Sequence, residues 1–378
     1  MKHAGRTRVV VLRGHNVNPW ELRPWQLLED FDVTVVATRS NEFTTDGIGL
    51  PMTQVGSIRD RLPRGRPGRA LAYAVGDRYL GLERVLADAD IVHAAEIHTW
   101  FSAQAAALRA RLDFRLVLTA WETIPFMESY RWPRERRYRR QVLGEADLIL
   151  PATDRARRAL LLEGFEDQHL LTCYPGIDTS RFSSLAASAV RNDEHLILSP
   201  GRLVWEKGHQ DVIRAVSALQ RGLVGPKTPV RLIIAGSGPE ERRLRRLARE
   251  LSVQSLVEFR AGVPYDEMPS LYAGASAMVL ASLPRRGWEE QFGMVLAEAL
   301  ASGTSIIASR SGAIPEVVAG NVPLFAPGDW FELASALLAG PLSRPPATRV
   351  SHDPERIELF SLQAAAERLA SAYRSVLA

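Results

Sequence analysis

The chain holds one cysteine, Cys173, in 378 residues. A single thiol makes no disulfide within the chain and no cysteine-based zinc site, which fits a reducing cytoplasm. Long apolar runs are also missing. None reaches the roughly 18 residues that span a bilayer. The early run Val9 to Leu12 is too short for the core of a signal peptide and reads as a first buried strand. There is no Walker loop and no HExxH metal motif. These absences predict a soluble cytoplasmic protein, at most peripheral to a membrane.

What is present is ordinary for a folded protein: 46% hydrophobic and 24% charged residues. The length exceeds what one compact core holds, so two domains are expected. The formal charge is only +4, but the pI is near 9.4 and arginine dominates the basic residues. Arginines cluster at "RDRLPRGRPGR" (59–69) and "RWPRERRYRR" (131–140). Such a surface attracts nucleic acid, anionic lipid or a phosphorylated small molecule, or is simply a solvated face.

Short β-branched runs alternate with helical patterns along the chain. "RVVVL" (8–12), "DVTVVAT" (32–38), "DIVHAA" (90–95), "FRLVLTA" (114–120) and "DLILPA" (147–152) read as strands. Residues 179–194 are polar, small and poorly periodic and read as a linker. The alternation then restarts with "HLILSPG" (195–201), "VRLIIAG" (230–236), "LVEFRAG" (256–262), "SAMVLAS" (276–282), "TSIIASR" (304–310) and "NVPLFAP" (321–327). Strands apolar on both faces and separated by helices mean parallel α/β sheets. The expected class is α/β, with two Rossmann-like doubly wound domains, 1–178 and 195–352, facing across a cleft. Ligands of such folds bind beyond the carboxyl ends of the strands, so the cleft is where the active site is expected. Residues 353–378 read as a crossover helix that packs back toward the first domain, with Leu362, Leu369, Tyr373 and Val376 as its apolar stripe.

Three stretches of the second domain carry candidate chemistry. "GRLVWEKG" (201–208) leaves a strand and enters a helix, so Arg202 and Lys207, after Gly201, stand where aimed N–H groups and a helix dipole favour an anion. Two cations there suit a diphosphate. "AGSGPEE" (235–241) is a glycine turn, Gly236 and Gly238, that lacks the third glycine and the later acidic residue of a dinucleotide site. It reads better as a tight turn that lets a nucleotide approach the backbone. In "EEQFGMVLAEALASG" (289–303), Glu290 stands just ahead of a helix and Glu298 two turns inside it, around an apolar stretch. A carboxylate near a core needs a partner, and a ligand is the candidate.

Taken together these stretches resemble the retaining glycosyltransferases of family four, which have the GT-B fold. "GRLVWEKG", "IAGSGPE", "VEFRAGVPYDEMPSLYAGASAMVLAS", "EQFGMVLAEALASGTSIIAS" and "GAIPEVV" match that pattern, as does "YPGIDTSRF" (174–182). The resemblance is most specific over 195–320. It implies a nucleotide-diphosphate sugar donor in the second domain. Arg202 and Lys207 would hold the diphosphate. Glu290, Gln291 and the backbone from Phe292 through Gly293 to Met294 would meet the donor sugar, and Glu298 the ribose.

The first domain implies acceptor binding and departs from the family pattern. "RGHNVNPWE" (13–21) has one glycine, Gly14, with Asn16 two positions on, where a glycine pair is usual. Trp121 stands where the family often carries a histidine, so Glu122 or a backbone carbonyl is the alternative beside the reacting carbon. In "DIVHAAEIHTW" (90–100), Glu96 and His98 sit at a strand's carboxyl end and can face the acceptor, while His93 reads as packed or capping. Trp20, Trp100, Trp121 and Trp132 can stack on a sugar or a lipid-linked acceptor, or belong to the core.

No metal or other cofactor is expected. "DFD" (30–32) and "DAD" (88–90) precede strands and so lie at the wrong end of the sheet. The expected reaction is metal-independent hexosyl transfer to an unidentified sugar or lipid-linked hydroxyl, with retention. The alternatives are a nucleotide-sugar epimerase on the same fold, and a non-catalytic nucleotide or nucleic-acid binding module. Against the last, no nucleic-acid motif is evident, so no nucleic-acid partner is expected. The arginine clusters suggest peripheral contact with an anionic membrane.

Overall fold

A computed structural model describes residues 6–63, 65–186, 194–320 and 322–378. The chain divides into two compact units, Met1–Gly176 with Leu362–Ala378, and Ile177–Ser361.

The first unit is built on β1 (Thr7–Leu12), β2 (Phe31–Ala37), β3 (Met52–Gln54), β4 (Ile91–Ala95), β5 (Arg115–Ala120) and β6 (Leu148–Pro151). The sheet order is β3-β2-β1-β4-β5-β6, and every pair is parallel. Side chains of β1 alternate between two cores: Val10 and Leu12 pack on one side, Val9 and Val11 on the other. This explains why the strand reads as a continuous apolar run. β3 escapes the sequence reading because its three residues, MTQ, lie at an edge and are largely exposed.

The second unit repeats the plan with β7 (His195–Pro200), β8 (Val230–Ala235), β9 (Val257–Arg260), β10 (Ala277–Leu280), β11 (Ile306–Ser309) and β12 (Leu324–Phe325). Its order is β12-β11-β10-β7-β8-β9, again all parallel. In each sheet the winding reverses beside the unit's first strand, between β1 and β4 and between β7 and β10. At such a reversal the loops of an open α/β sheet diverge, which is where ligands of this class of fold bind, at the carboxyl ends.

Two expectations need correction. Residues 179–186 of the expected linker form a helix, Thr179–Ala186, packed on the helices Met268–Gly274 and Met294–Ala301. Its anchor is Phe182, fully buried edge-on against Tyr265 and Tyr272, with ring centroids 5.7 and 5.6 Å away. One aromatic among small polar residues gives little periodic signal. Residues 187–193 of the expected linker lie outside the described residues. The expected terminal helix is also two elements. Pro354–Leu359 belongs to the second unit, and Leu362–Leu377 belongs to the first. The latter inserts Tyr373, whose hydroxyl accepts from Trp25 Nε1 at 2.8 Å and lies 2.6 Å from His93 Nδ1. His93, completely buried and 2.8 Å from the Thr119 hydroxyl, is a packed histidine. Among the described residues no helix is long and apolar enough to cross a membrane.

Candidate functional site

In the second unit the loop after β7 carries most of the site. Gly201 and Gly236 hold φ of +143° and +154°, and a Cβ on Gly236 would lie 1.9 Å from the Gly201 carbonyl oxygen. The loops after β7 and β8 therefore touch backbone to backbone, and only glycine fits. A Cβ on Gly238 would likewise meet the Leu203 carbonyl at 2.3 Å. His209 pins the same turn: Nδ1 is 2.8 Å from Ser199 Oγ, and Nε2 is 3.2 Å from the Arg202 carbonyl. Burial pushes this imidazole down to about 4. It is therefore neutral near pH 7, with Nε2–H donating to Arg202 and Nδ1 accepting from Ser199. His209 was not singled out from the sequence. Its only signal is its place immediately after the glycine that follows Lys207.

Arg202 itself is exposed and forms no ion pair among the described residues. Lys207 and Glu290, expected on a diphosphate and on a sugar, are bonded to each other. Lys207 Nζ donates to Oε1 at 2.8 Å and to Oε2 at 2.7 Å. Ser282 Oγ donates to Oε2 at 2.5 Å. The ammonium also lies 5.3 Å from the centre of the Trp288 ring. Glu290 is only 5% exposed, and its carbonyl accepts from Ala313 N at 2.8 Å. A Cβ on Gly312 would lie 2.0 Å from that carbonyl. The turn after β11 thus presses on the backbone of Glu290 and fixes it. Gln291 is half-buried beside it.

Phe292 is buried against Phe360, 5.2 Å away and edge-on. Gly293, at φ +81°, turns the chain into the helix Met294–Ala301, and Met294 is half-buried at the first helical position. Glu298, expected on a ribose, is 5% exposed. It accepts from the Tyr272 hydroxyl at 2.7 Å. Burial pushes its carboxyl up to about 7, against the opposing hydrogen bonds from Tyr272 and Tyr265. In this structure its partner is therefore the tyrosine pair.

In the first unit, Gly14 takes φ +60° at the end of β1, and a Cβ there would lie 2.6 Å from the Phe101 ring. Asn16 is exposed. Between them and the strand lie two residues the sequence reading passed over. Arg13 is 2% exposed. Its Nε donates to Glu21 Oε1 at 2.7 Å, and its guanidinium sits 5.3 Å from the Trp25 ring centre. His15 bridges Thr38 at 2.8 Å and Asp77 at 2.6 Å. Their one sequence signal is position, directly after the first strand.

Glu96 follows β4 with φ +63°, unusual for a residue with a Cβ. Its Oε1 accepts from Trp121 N at 2.9 Å. Trp121 lines a small cavity with Glu21, Trp25, Tyr174 and Leu369. Glu122 turns back on its own loop and accepts from Thr123 N at 2.9 Å and Ile124 N at 3.0 Å. His98 packs against Tyr130 in a tilted contact, with ring centres 5.2 Å apart.

The remaining candidates divide. Trp100 packs on Tyr79 and His15, whereas Trp20 and Trp132 are exposed. Of the second arginine cluster, Arg139 pairs with Glu163. Arg131, Arg136 and Arg140 line a cavity of about 540 Å³ with Phe126, Met127 and Tyr130. In the first cluster Arg59 pairs with Glu42 at 3.0 Å, and Arg64 lies outside the described residues. Asp30, Asp88 and Asp90 lie before strands, as expected. Asp30 pairs with Arg374, Asp88 with Arg8, and Asp90 accepts from Arg8 N. Among the described residues no group of three His, Cys, Asp or Glu side chains is placed to hold a metal ion.

Comparison with known proteins gives concordant results. The family model Glycosyltransferase Family 4 matches residues 21–181, and Glycosyl transferases group 1 matches residues 181–339. A D-inositol 3-phosphate glycosyltransferase of Corynebacterium urealyticum is 28% identical over 316 residues, covering 76% of this chain and 72% of that protein. A GDP-mannose-dependent alpha-(1-6)-phosphatidylinositol monomannoside mannosyltransferase of Mycolicibacterium smegmatis is 35% identical over 153 residues, covering 38% of this chain and 39% of its own length. Among solved structures, Anabaena HepE in complex with UDP and glucose superposes with a TM-score of 0.73 at 18% identity, covering 98% of this chain and 100% of that one. Sucrose-phosphate synthase from Thermosynechococcus elongatus gives the same TM-score and identity, covering 98% and 99%. At that identity the likeness concerns the fold, GT-B.

Proposed function

The chain belongs to the family-four glycosyltransferases, and on that premise we propose that it transfers a hexosyl group from a nucleoside-diphosphate sugar to an acceptor hydroxyl, with retention and without a metal ion. The observation that carries this reading is the cationic turn of the second unit. Arg202 has no ion pair among the described residues, and Lys207 is aimed by a fixed carboxylate. The Gly201–Gly236 contact brings bare backbone to the same place. These are the parts a leaving diphosphate needs: preorganised charge and N–H groups that need not reorganise during reaction. The helix that starts after Gly293 adds its dipole.

In the proposed step the anomeric carbon loses its bond to the diphosphate oxygen and gains one to the acceptor oxygen on the same face. The acceptor's proton passes to the departing phosphate. Glu122, held by its own loop, is the nearest alternative as a proton-accepting group. The acceptor is a sugar or lipid-linked hydroxyl bound by the first unit. Arg131, Arg136 and Arg140, with exposed Phe126 and Trp132, support peripheral contact with the anionic cytoplasmic face of a membrane.

Thermal unfolding against UDP, GDP, ADP and their sugars, with EDTA present, tests this reading. A ligand at 100 times its dissociation constant stabilises by about 2.7 kcal/mol. A shift with one of the bases, lost in Arg202→Ala, is expected. No shift with any of them in a folded protein overturns the reading. An inverted product anomer overturns retention.

A further inference from the structure

Two polar atoms at the carboxyl end of β4, Oε2 of Glu96 and Nδ1 of His98, are buried and have no hydrogen-bond partner among the described residues. They belong to residues two apart on one loop and lie 4.0 Å from each other. That is too far for a hydrogen bond between them. It is the separation at which one further atom bonds to both at about 2.8 Å. Orphaned buried groups are rare and each costs free energy. Two of them 4.0 Å apart indicate a shared partner.

The backbone is committed to this arrangement. Glu96 accepts a left-handed φ of +63°, a conformation that costs on the order of 1 kcal/mol or more and persists only where its surroundings impose it. Its other oxygen is tied to Trp121 N at 2.9 Å, so the carboxyl cannot swing away to solvent. His98 is held by its tilted contact with Tyr130, and Thr99 caps the helix Trp100–Leu112 immediately after it.

The chemistry of the pair selects its ligand. Burial pushes the Glu96 carboxyl up to about 8, with Glu122 and Glu21 adding to the rise and Trp121 N–H and Arg13 opposing it. Burial, with a contribution from Arg139 and against one from Glu135, holds His98 below the usual imidazole range. Near neutral pH the pair therefore carries a neutral carboxyl and a neutral imidazole, so Oε2–H donates and Nδ1 accepts. Should the carboxyl ionise, the other histidine tautomer exchanges the roles. In both forms the pair offers one donor and one acceptor. A phosphate oxygen accepts only and an ammonium donates only, so either leaves one atom orphaned. A hydroxyl satisfies both from a single oxygen.

We propose that Glu96 and His98 form a two-point anchor for one hydroxyl of an uncharged polyol, and that this hydroxyl belongs to the acceptor. The assignment to the acceptor rests on the transferase reading. The anchor itself does not. The pair binds by Glu96 Oε2 donating to the ligand oxygen while the ligand's own hydrogen is donated to His98 Nδ1. Glu96 and His98 are thus specificity-determining residues that set the class of acceptor at this end as a sugar or cyclitol ring.

The probes are methyl α-D-mannopyranoside, methyl α-D-glucopyranoside and myo-inositol, followed by saturation-transfer NMR and by the 15N resonance of His98 Nδ1. Binding of at least one probe and a shift of that resonance are expected in the intact chain. Glu96→Met and His98→Phe should each weaken binding about tenfold, the size of one lost neutral hydrogen bond with a partner left buried. Glu96→Gln, whose amide N–H donates to the same oxygen, should stay within a few-fold of wild type. A resonance unmoved by every probe, or equal binding by wild type, Glu96→Met and His98→Phe, overturns the proposal. Nucleoside-diphosphate binding, read separately by thermal shift, reports on the second unit. Its absence would sink the transferase reading while leaving the polyol anchor standing.

Discussion

Lys207 and Glu290 are 83 positions apart in sequence, yet the lysine donates to both carboxylate oxygens at 2.8 and 2.7 Å. The pair is nearly buried, with side chains 15% and 6% exposed. A charge left alone there has no water to turn to. Lys207→Ala is therefore expected to destabilise the second unit by about 3 kcal/mol. The double variant with Glu290→Ala should recover a good part of that. Denaturant midpoints of both singles and the double decide the matter, and strictly additive losses would mean the pair is not coupled.

His209 makes stability depend on acid. Its folded value, about 4, lies below the ordinary value of 6.5, so the unfolded chain binds its proton first as pH falls. The full contribution is present above pH 6.5 and is lost progressively down to about 4. The span corresponds to roughly 3 kcal/mol. His209→Gln should reduce the difference in unfolding free energy between pH 7 and pH 4.5 relative to wild type. An unchanged difference would show that the turn does not bury a neutral imidazole.

Glu298 has the opposite sign. Its folded carboxyl is raised from 4.5 to about 7. Its contribution is full below pH 4.5 and is lost as pH rises toward 7. Tyr272→Phe removes a hydroxyl that stabilises the ionised form. It should cost about 1–2 kcal/mol and extend the loss of stability above pH 7. Urea titrations at pH 5, 7 and 8.5 test this, and parallel pH profiles for the two proteins would refute it.

Gly236→Ala places a methyl 1.9 Å from the Gly201 carbonyl oxygen. The loop after β7 must move, and Arg202 moves with it. Nucleoside-diphosphate affinity should fall by about tenfold or more, since a lost charge-assisted bond alone is worth about 1.5–3 kcal/mol. Calorimetric titration at fixed salt checks this, and wild-type affinity would mean the turn takes no part in binding.

Replacing Arg131, Arg136 and Arg140 together by Ala should lower flotation on vesicles containing anionic lipid and leave flotation on neutral vesicles unchanged. Each basic residue near such a surface contributes about 1 kcal/mol. Equal flotation on both kinds of vesicle by the wild-type chain would argue against membrane contact.

The strands and the turns after them were readable in the chain because local chemistry decides them. Val9 to Leu12 must be buried on both faces, and Gly201, Gly236 and Gly293 mark backbone that turns or touches other backbone. The positions of Arg202, Lys207 and Glu290 after their strands followed from the same alternation. Sequence alone also shows that the one thiol of these 378 residues forms no disulfide within them, and that no apolar run in them reaches the length of a membrane-spanning helix. Elements with little periodic signal stayed hidden. Phe182, an aromatic among small polar residues, anchors the helix Thr179–Ala186, and β3 is a three-residue edge. Only the tertiary structure decided which charges meet. It bonded Lys207 to Glu290, placed Tyr272 on Glu298, set His209 against the Arg202 carbonyl, and left the unpartnered Oε2 of Glu96 and Nδ1 of His98 4.0 Å apart. Apart from Glu96 with His98, neighbours on one loop, and His209 with Arg202, seven positions apart, these are contacts between residues 26 or more positions apart in the chain. Their distances and burial, and hence their charge states, come from the packing of whole elements, which no local pattern encodes.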